Sequence, residues 1–498
     1  MTDVLLSVHG AIWGTPMILL ILGVGIWICI KTEGVQFWLF PAACRELIRI
    51  FRQRKCAQGV SPFRALCTAL GATVGTGNII GVAGAVCLGG PGAVFWMWVC
   101  GILAMGTKYA EAVLAVRYRT GCDRHGGPMY MITEGMGHRW KGLAVLYSLF
   151  GIAASFGVGN AAQVNAVISG INSVMIQQGG TQLLRRDLAL GLILSVVIGS
   201  VLLGGTAGIG VASERLIPFA SLFYMGLCVV VLTLRHNFIL PALASIVTGA
   251  FSPEAVTGGV IGSAMQALQT GCSRGVFTNE AGMGTASMAH ASADTRHPVE
   301  QGMMGIVEVF LDTIVICTLT ALVILVSGVP IPYGTDGGGM LTISAFSHTC
   351  GDWTTVALTI TLCCFAFASV LGWSLYGTRC VQFLFGEGAW EPYAALQTAA
   401  VVLGAVANTE RIWLFSELFN GLMAIPNLIG LAALTPELSR LTKEYKNKSG
   451  GSSAEGGHYA NFHQCQPLRA FPHEKVPSLR GGGGSAGKKD LSSEHRSA

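Results

Sequence analysis

The chain reads as an all-α polytopic membrane protein of eleven transmembrane helices, and three observations point there. Its 498 residues are 52% apolar and only 11% charged, against about 25% charged in an ordinary soluble domain. Eleven apolar runs of about 20 residues suit a bilayer core: 12–30, 62–88, 92–117, 143–173, 188–205, 213–236, 255–290, 300–328, 353–383, 392–407 and 411–434. Two of these runs, five spans apart, are interrupted by glycine-rich sequence.

The stretch before the first run, Met1 to Gly10, lacks the basic opening of a cleaved signal peptide, so that run is expected as a retained helix. After it, Phe37, Trp38, Phe40, Leu47, Ile48 and Phe51 lie among arginines, the pattern of an amphipathic helix over 37–54 resting on the membrane surface. Residues 1–60 thus form an extra N-terminal unit. The second run carries Gly71-Ala-Thr-Val-Gly-Thr-Gly-Asn-Ile-Ile-Gly81. Lipid offers the backbone no hydrogen-bond partners, so irregular chain at membrane depth needs protein, water or ligand to satisfy it. Two readings follow: a small-ligand site at a broken helix, or close packing through Gly77, Gly81 and Gly84.

The second interruption, Gly271-Cys-Ser-Arg-Gly-Val-Phe-Thr-Asn-Glu-Ala-Gly-Met-Gly284, favours the first reading, because it falls at the corresponding place in a second set of five spans. Residues 61–236 and 237–435 then form two halves. An odd number of spans per half forces opposite orientations, which is the arithmetic of an inverted repeat. From Thr435 the chain turns polar and ends in glycine-rich sequence, so 436–498 is expected to be a disordered cytoplasmic tail.

Orientation follows the basic residues. Lys31, Arg45, Arg49, Arg52, Arg54, Lys55 and Arg64 lie between the first two spans, and Arg117, Arg119, Arg124, Arg139 and Lys141 follow the third. Both loops are expected in the cytoplasm, whereas 329–352 holds no Lys or Arg. The N-terminus is then outside and the C-terminus inside. Of fifteen cysteines, Cys29, Cys100, Cys228, Cys317, Cys363 and Cys364 fall within spans, where cysteine behaves as a small hydrophobe.

Several spans carry polar residues that lipid would not accept. At the first break, amides opening the second half-helix suit a carboxylate and carbonyls closing the first half suit a cation. Gly71 and Val74 carbonyls, the Thr73 hydroxyl and the small-residue face near Ala366 and Ser369 are candidate sodium ligands. At the second break, carbonyls near Gly275 to Thr278, with Phe277 and Asn279 beside them, are candidates for an ammonium. Arg274 and Glu280 either lie at the interface, or Glu280 pairs with Arg274 or a loop base as a gate or helix lock. Asn160, Gln163 and Asn165 serve either a ligand or interhelical bonds. Ser369 and Trp373, four apart, share a helical face, as do Glu308 and Asp312, which either relay protons or bond to nearby backbone. No Walker loop, metal cluster or nucleophile triad is present, so neither an enzyme nor a cofactor is expected, and no nucleic-acid partner.

The segments Gly89-Gly-Pro-Gly-Ala-Val-Phe-Trp-Met-Trp98, Phe277-Thr-Asn-Glu-Ala-Gly-Met-Gly-Thr285, His297-Pro-Val-Glu-Gln-Gly302 and Asp312-Thr-Ile-Val-Ile-Cys317 together resemble the alanine or glycine:cation symporter family, over about residues 10 to 440. The resemblance implies the leucine-transporter-like fold, a five-plus-five inverted repeat. It also implies uptake of alanine or glycine across a bacterial inner membrane, coupled to sodium or, in some members, protons. Carried onto this chain, it puts Thr76 and Gly77 at the substrate carboxylate and Gln163 against its polar end. Ser369 and Trp373 surround the side chain, and the carbonyls of Gly71 and Val74 hold sodium. Similar members carry Thr where this chain has Ser369, and Val167 lies one turn beyond Gln163. Those two positions leave alanine, glycine and serine open, and binding without transport remains an alternative.

Overall fold

A computed structural model describes residues 10, 12–52, 60–121, 124–177, 181, 183–335, 338–407 and 409–450. Among them there is no strand, only two isolated bridges. Six helices are long and apolar enough to cross a membrane, and a seventh span is a pair bent by 48°.

In chain order, α1 (Thr15–Lys31) and the surface helix α2 (Phe40–Arg52) precede the bent pair. Ile48 and Phe51 of α2 stay exposed while Ala43 and Ile50 are buried, the two-faced pattern expected of it. The bent pair is α3 (Pro62–Thr73), a π-helical turn Gly77–Gly81, and α4 (Val82–Gly89). Next come α5 (Gly92–Arg117) and α6 (Lys141–Phe156), the latter passing through a second π-turn, Gly157–Ala161, into α7 (Ala162–Gln177). Helices α8 (Leu184–Leu202) and α9 (Gly205–Leu234) follow.

The chain after residue 236 departs from the expected spans. A separate helix, α10 (Ile239–Phe251), comes first, and the run read as 255–290 becomes helical in earnest at α11 (Ala264–Asn279), broken before α12 (Thr285–Ala291). There follow α13 (Pro298–Val309), a π-helical stretch Phe310–Cys317, and α14 (Thr318–Val326). The loop 329–352 contains an unforeseen helix, α15 (Gly338–Cys350). At 13 residues it is too short to span. It packs against the first break, where Thr342 donates to the Ile79 carbonyl at 3.0 Å.

The remaining helices are α16 (Trp353–Phe385), α17 (Trp390–Val406) and α18 (Thr409–Gly450). The last runs past the expected boundary at 435. Leu434, Leu438 and Leu441 recur at helical spacing and are buried, and Thr442 shares a 2.8 Å hydrogen bond with Tyr109 of α5. Residues 451–498 of the expected tail, with Arg54 and Lys55, lie outside the described residues.

Candidate functional site

The first break begins where Val74 leaves the helix, with ψ of 95°. The freed Gly75 N–H donates to Asn78 Oδ1 at 2.9 Å, and Asn78 Nδ2 donates in turn to Asp312 Oδ1 at 2.6 Å. The bend is therefore pinned to α13's continuation rather than left to lipid, as backbone at membrane depth requires. On its other side, Thr76 Oγ1 donates to Gln163 Oε1 at 3.3 Å, and Gln163 Nε2 to the Val158 carbonyl at 3.1 Å. Val158 lies in the second π-turn, so the two wide turns are joined through one carboxamide. Ser369 of α16 donates to the Gly71 carbonyl at 3.0 Å.

The expected site residues converge in part. Gly71, Thr76, Gln163 and Ser369 form one linked cluster, and a β-carbon on Gly77 would lie 3.5 Å from Thr278 and 3.8 Å from Phe277, so the first break packs against the last turn of α11. Ala366 lies with Gln163, Val167 and Val370 around a void of about 10 Å³, the size of one water molecule. The Thr73 hydroxyl donates back to Ala69 of its own helix at 3.2 Å. Of the three amides, Asn160 donates to Gln397 Oε1 at 2.5 Å and Asn165 to the Ala407 carbonyl at 3.1 Å. Those two fasten α17, leaving Gln163 as the amide at the break.

The second break sits one turn later than expected. Helix α11 continues through Asn279, and the chain turns at Glu280, Gly282 and Gly284, all with positive φ. For Glu280 this left-handed backbone is uncommon. Its carboxylate holds the turn, accepting from Thr285 Oγ1 at 2.6 Å and from the Trp373 indole at 3.0 Å. Trp373 thus reaches from α16 to the second break, while its β-carbon backs onto the π-turn before Gln163. Arg274 pairs with Glu417 at 3.3 Å, so the expected Arg274–Glu280 gate is not formed.

Sequence reasoning missed a buried polar network on α5. Lys108 Nζ stands 3.3 Å from Glu308 Oε1, whose other oxygen is 2.8 Å from His290. Glu111 Oε1 accepts from the N–H groups of Gly282 and Gly284 at 2.8 and 3.0 Å and from Asn427 at 2.8 Å. The available signal was Lys108 and Glu111 themselves, two charges inside an apolar run. Glu308 and Asp312 bond mainly to side chains, with Thr313 donating to Asp312 Oδ2 at 2.8 Å.

Gly159 is constrained by close approach: a β-carbon there would fall 2.3 Å from that of Trp373. Gly159→Ala is expected to displace the indole and cut substrate turnover at least about tenfold, with membrane abundance little changed; normal transport by this variant would show that Trp373 is not held there.

A cavity of about 560 Å³ opens on the side of the arginine-rich loops, lined by Arg124, His125, Ser374, Thr378, Arg379 and Tyr393. Its lining joins the loop at Arg124 and His125 to Ser374, the residue after Trp373. His125, in that loop, is held down to about 3 by burial and then by Arg379. The Glu387 carboxylate 3.1 Å from its Nδ1 opposes this, but it is half exposed and screened. The unfolded chain therefore binds a proton below about pH 6.5 that the folded protein refuses, so stability falls as pH drops from there toward 3. Melting of the detergent-purified protein between pH 7.5 and 5 is expected to show that fall, and His125→Asn to flatten it.

Comparison with known proteins agrees with this architecture. The family model described as the sodium:alanine symporter family matches residues 1–456. The chain is 39% identical over 453 residues to an uncharacterized transporter of Haemophilus influenzae, covering 89% of this chain and 96% of that one. It is 39% identical over 446 residues to the sodium/alanine symporter AgcS of Methanococcus maripaludis, covering 88% and 96%. The probable sodium/glutamine symporter GlnT of Bacillus subtilis shares 35% over 443 residues, covering 87% and 88%. Among solved structures, MhsT in complex with L-phenylalanine matches with a TM-score of 0.52 at 17% identity, over 78% of this chain and 100% of that one; that likeness is one of fold. A transporter rather than an enzyme, the chain belongs to the sodium:alanine symporter family.

Proposed function

We propose that the protein is a sodium-coupled symporter that imports alanine or glycine by alternating access. The observation that carries this is the junction at the first break, where Thr76, Gln163 and Ser369 meet one unwound turn. Unwound carbonyls and half-helix C-termini suit a sodium ion, and the amides that follow suit a carboxylate. In this reading the carbonyls of Gly71, Val74 and Ala366 and the Ser369 hydroxyl take sodium. Thr76 and Gly77 take the carboxylate, and Gln163 the same polar end. The ammonium faces the carbonyl end of α11 at Phe277 and Thr278, and Ser369 and Trp373 bound the side chain.

The relatives named for alanine and for glutamine pull the substrate assignment in different directions. The fully buried Trp373 and the Ser369 hydroxyl, which bound the substrate side chain in this reading, support a small one, alanine or glycine. Sodium coupling follows from shared geometry, since cation and substrate organise the same turn. The same reading places the eleven spans as one extra helix plus two inverted halves of five. It sets the N-terminus outside and the C-terminus in the cytoplasm of a bacterial inner membrane, with the large cavity as the cytoplasmic vestibule.

Ser369→Ala removes one cation ligand and is expected to raise the sodium concentration for half-maximal uptake about tenfold, with a smaller change in the apparent alanine affinity. Uptake measured against sodium at fixed alanine checks this. An unchanged sodium curve would move the cation elsewhere.

A further inference from the structure

The two breaks are satisfied by groups of different charge. At the first, the side chain bonded to the freed amide is a neutral carboxamide, Asn78, with Asp312 standing one bond behind it. At the second, one carboxylate oxygen of Glu111 takes the N–H groups of both Gly282 and Gly284. Asn427 closes the arrangement, donating to the same oxygen and to the Gly282 carbonyl, both at 2.8 Å. Gly284 has φ of 78°, and a β-carbon there would lie 2.3 Å from Pro128, so the turn that aims these amides admits glycine alone. Successive N–H groups converging on one point make an anion-binding concavity. Here the chain's own side chain fills it, and Glu111 is 1% exposed.

We propose that Glu111 is a resident carboxylate that occupies, at the second break, the position a substrate carboxylate takes at the first, and so fixes the polarity with which the zwitterion binds. The inference rests on the transport reading above and names the residue that determines orientation within that site. Free amides at both breaks would otherwise offer the substrate carboxylate two places and hence two opposed poses. With Glu111 in place the two amides are already taken and closed to a second carboxylate, while Lys108, one turn away on α5 and paired with Glu308, offsets part of the negative charge of Glu111 and Glu280. Glu308 and Asp312 do not share this role, because their bonds go to Lys108, His290, Asn78 and Thr313. Glu111 is a positioning residue that touches the turn and not the substrate.

Glu111→Gln separates charge from hydrogen bonding, since the carboxamide oxygen can still accept from both amides. Exchange of labelled alanine is measured in proteoliposomes with propionate and ethylamine as competitors, one carrying only the carboxylate and the other only the ammonium. The expected result in E111Q is a shift of the propionate-to-ethylamine inhibition ratio toward propionate by at least about tenfold, the effect of one charge contact at a partly dry site. Asn427→Ala, which keeps the charge, retains the wild-type ratio. An unchanged ratio in E111Q with normal wild-type exchange overturns the role of Glu111 alone. Absence of alanine exchange in the wild type overturns the transport reading, and this proposal with it. Should E111Q fail to accumulate, melting of purified Glu111→Ala decides: stabilisation by formate and not by formamide supports a resident anion, and equal effects refute it.

Discussion

Gln163→Ala is expected to abolish alanine uptake while the protein reaches the membrane at near wild-type abundance. The Gln163 carboxamide joins Thr76 at the first break to Val158 in the second π-turn, and π-turns inside helices often mark functional sites. Truncation leaves the Val158 carbonyl and the Thr76 hydroxyl without that partner, at about 1–3 kcal/mol. A folded protein of ordinary stability survives this. The substrate's polar end, however, loses its two-way partner, and the neighbouring amides are already committed, Asn160 and Asn165 to α17 and Asn78 to the Gly75 N–H and Asp312. Normal uptake by this variant would remove Gln163 from the site. Trp373→Ala is expected to lose uptake as well, with an added cavity cost of about 3–5 kcal/mol.

Lys108→Met is expected to have the largest effect on folding. Lys108 and Glu308 are 0% and 1% exposed and 3.3 Å apart. Removing one partner of a buried pair typically costs about 3–5 kcal/mol, because the other charge is stranded. The variant should fail to accumulate, and its remaining fraction should melt early. Replacing both groups, as in Lys108→Met with Glu308→Gln, should recover a substantial part of the abundance, since a neutral side chain at 308 still meets His290. Fluorescence-detected size exclusion of the two variants side by side checks this; equal losses would mean that the pair is not the source of the cost.

How far the site could be read from sequence depends on whether a signal was local. The first break was legible because glycine repeats within one short run, and the pairing with a second break followed from counting spans. Ser369 and Gln163 were legible as polar groups in apolar runs, and the structure links both to the first break. The second break was placed a turn early, because Gly275 offered a glycine signal while the turn forms at Glu280, a residue whose positive φ composition does not announce. For Glu280 the sequence offered Arg274, a loop base or an interfacial position, yet Arg274 bonds to Glu417. Its true partners, Thr285 and Trp373, depend on how α16 packs. The α5 network left a signal in two charges within an apolar run, but its partners did not, because Glu111 meets Gly282, Gly284 and Asn427, residues far along the chain. Helix α15 was read as loop because a run too short to span gives no bilayer-length signal.

The central claim is that one broken-helix site couples a small amino acid to sodium. Accumulation of labelled alanine in proteoliposomes under an imposed sodium gradient tests it most directly. The account predicts an inward overshoot above equilibrium that collapses when the sodium gradient is dissipated and persists when a proton gradient is. Alanine binding without accumulation, or an overshoot that follows the proton gradient instead, would contradict it.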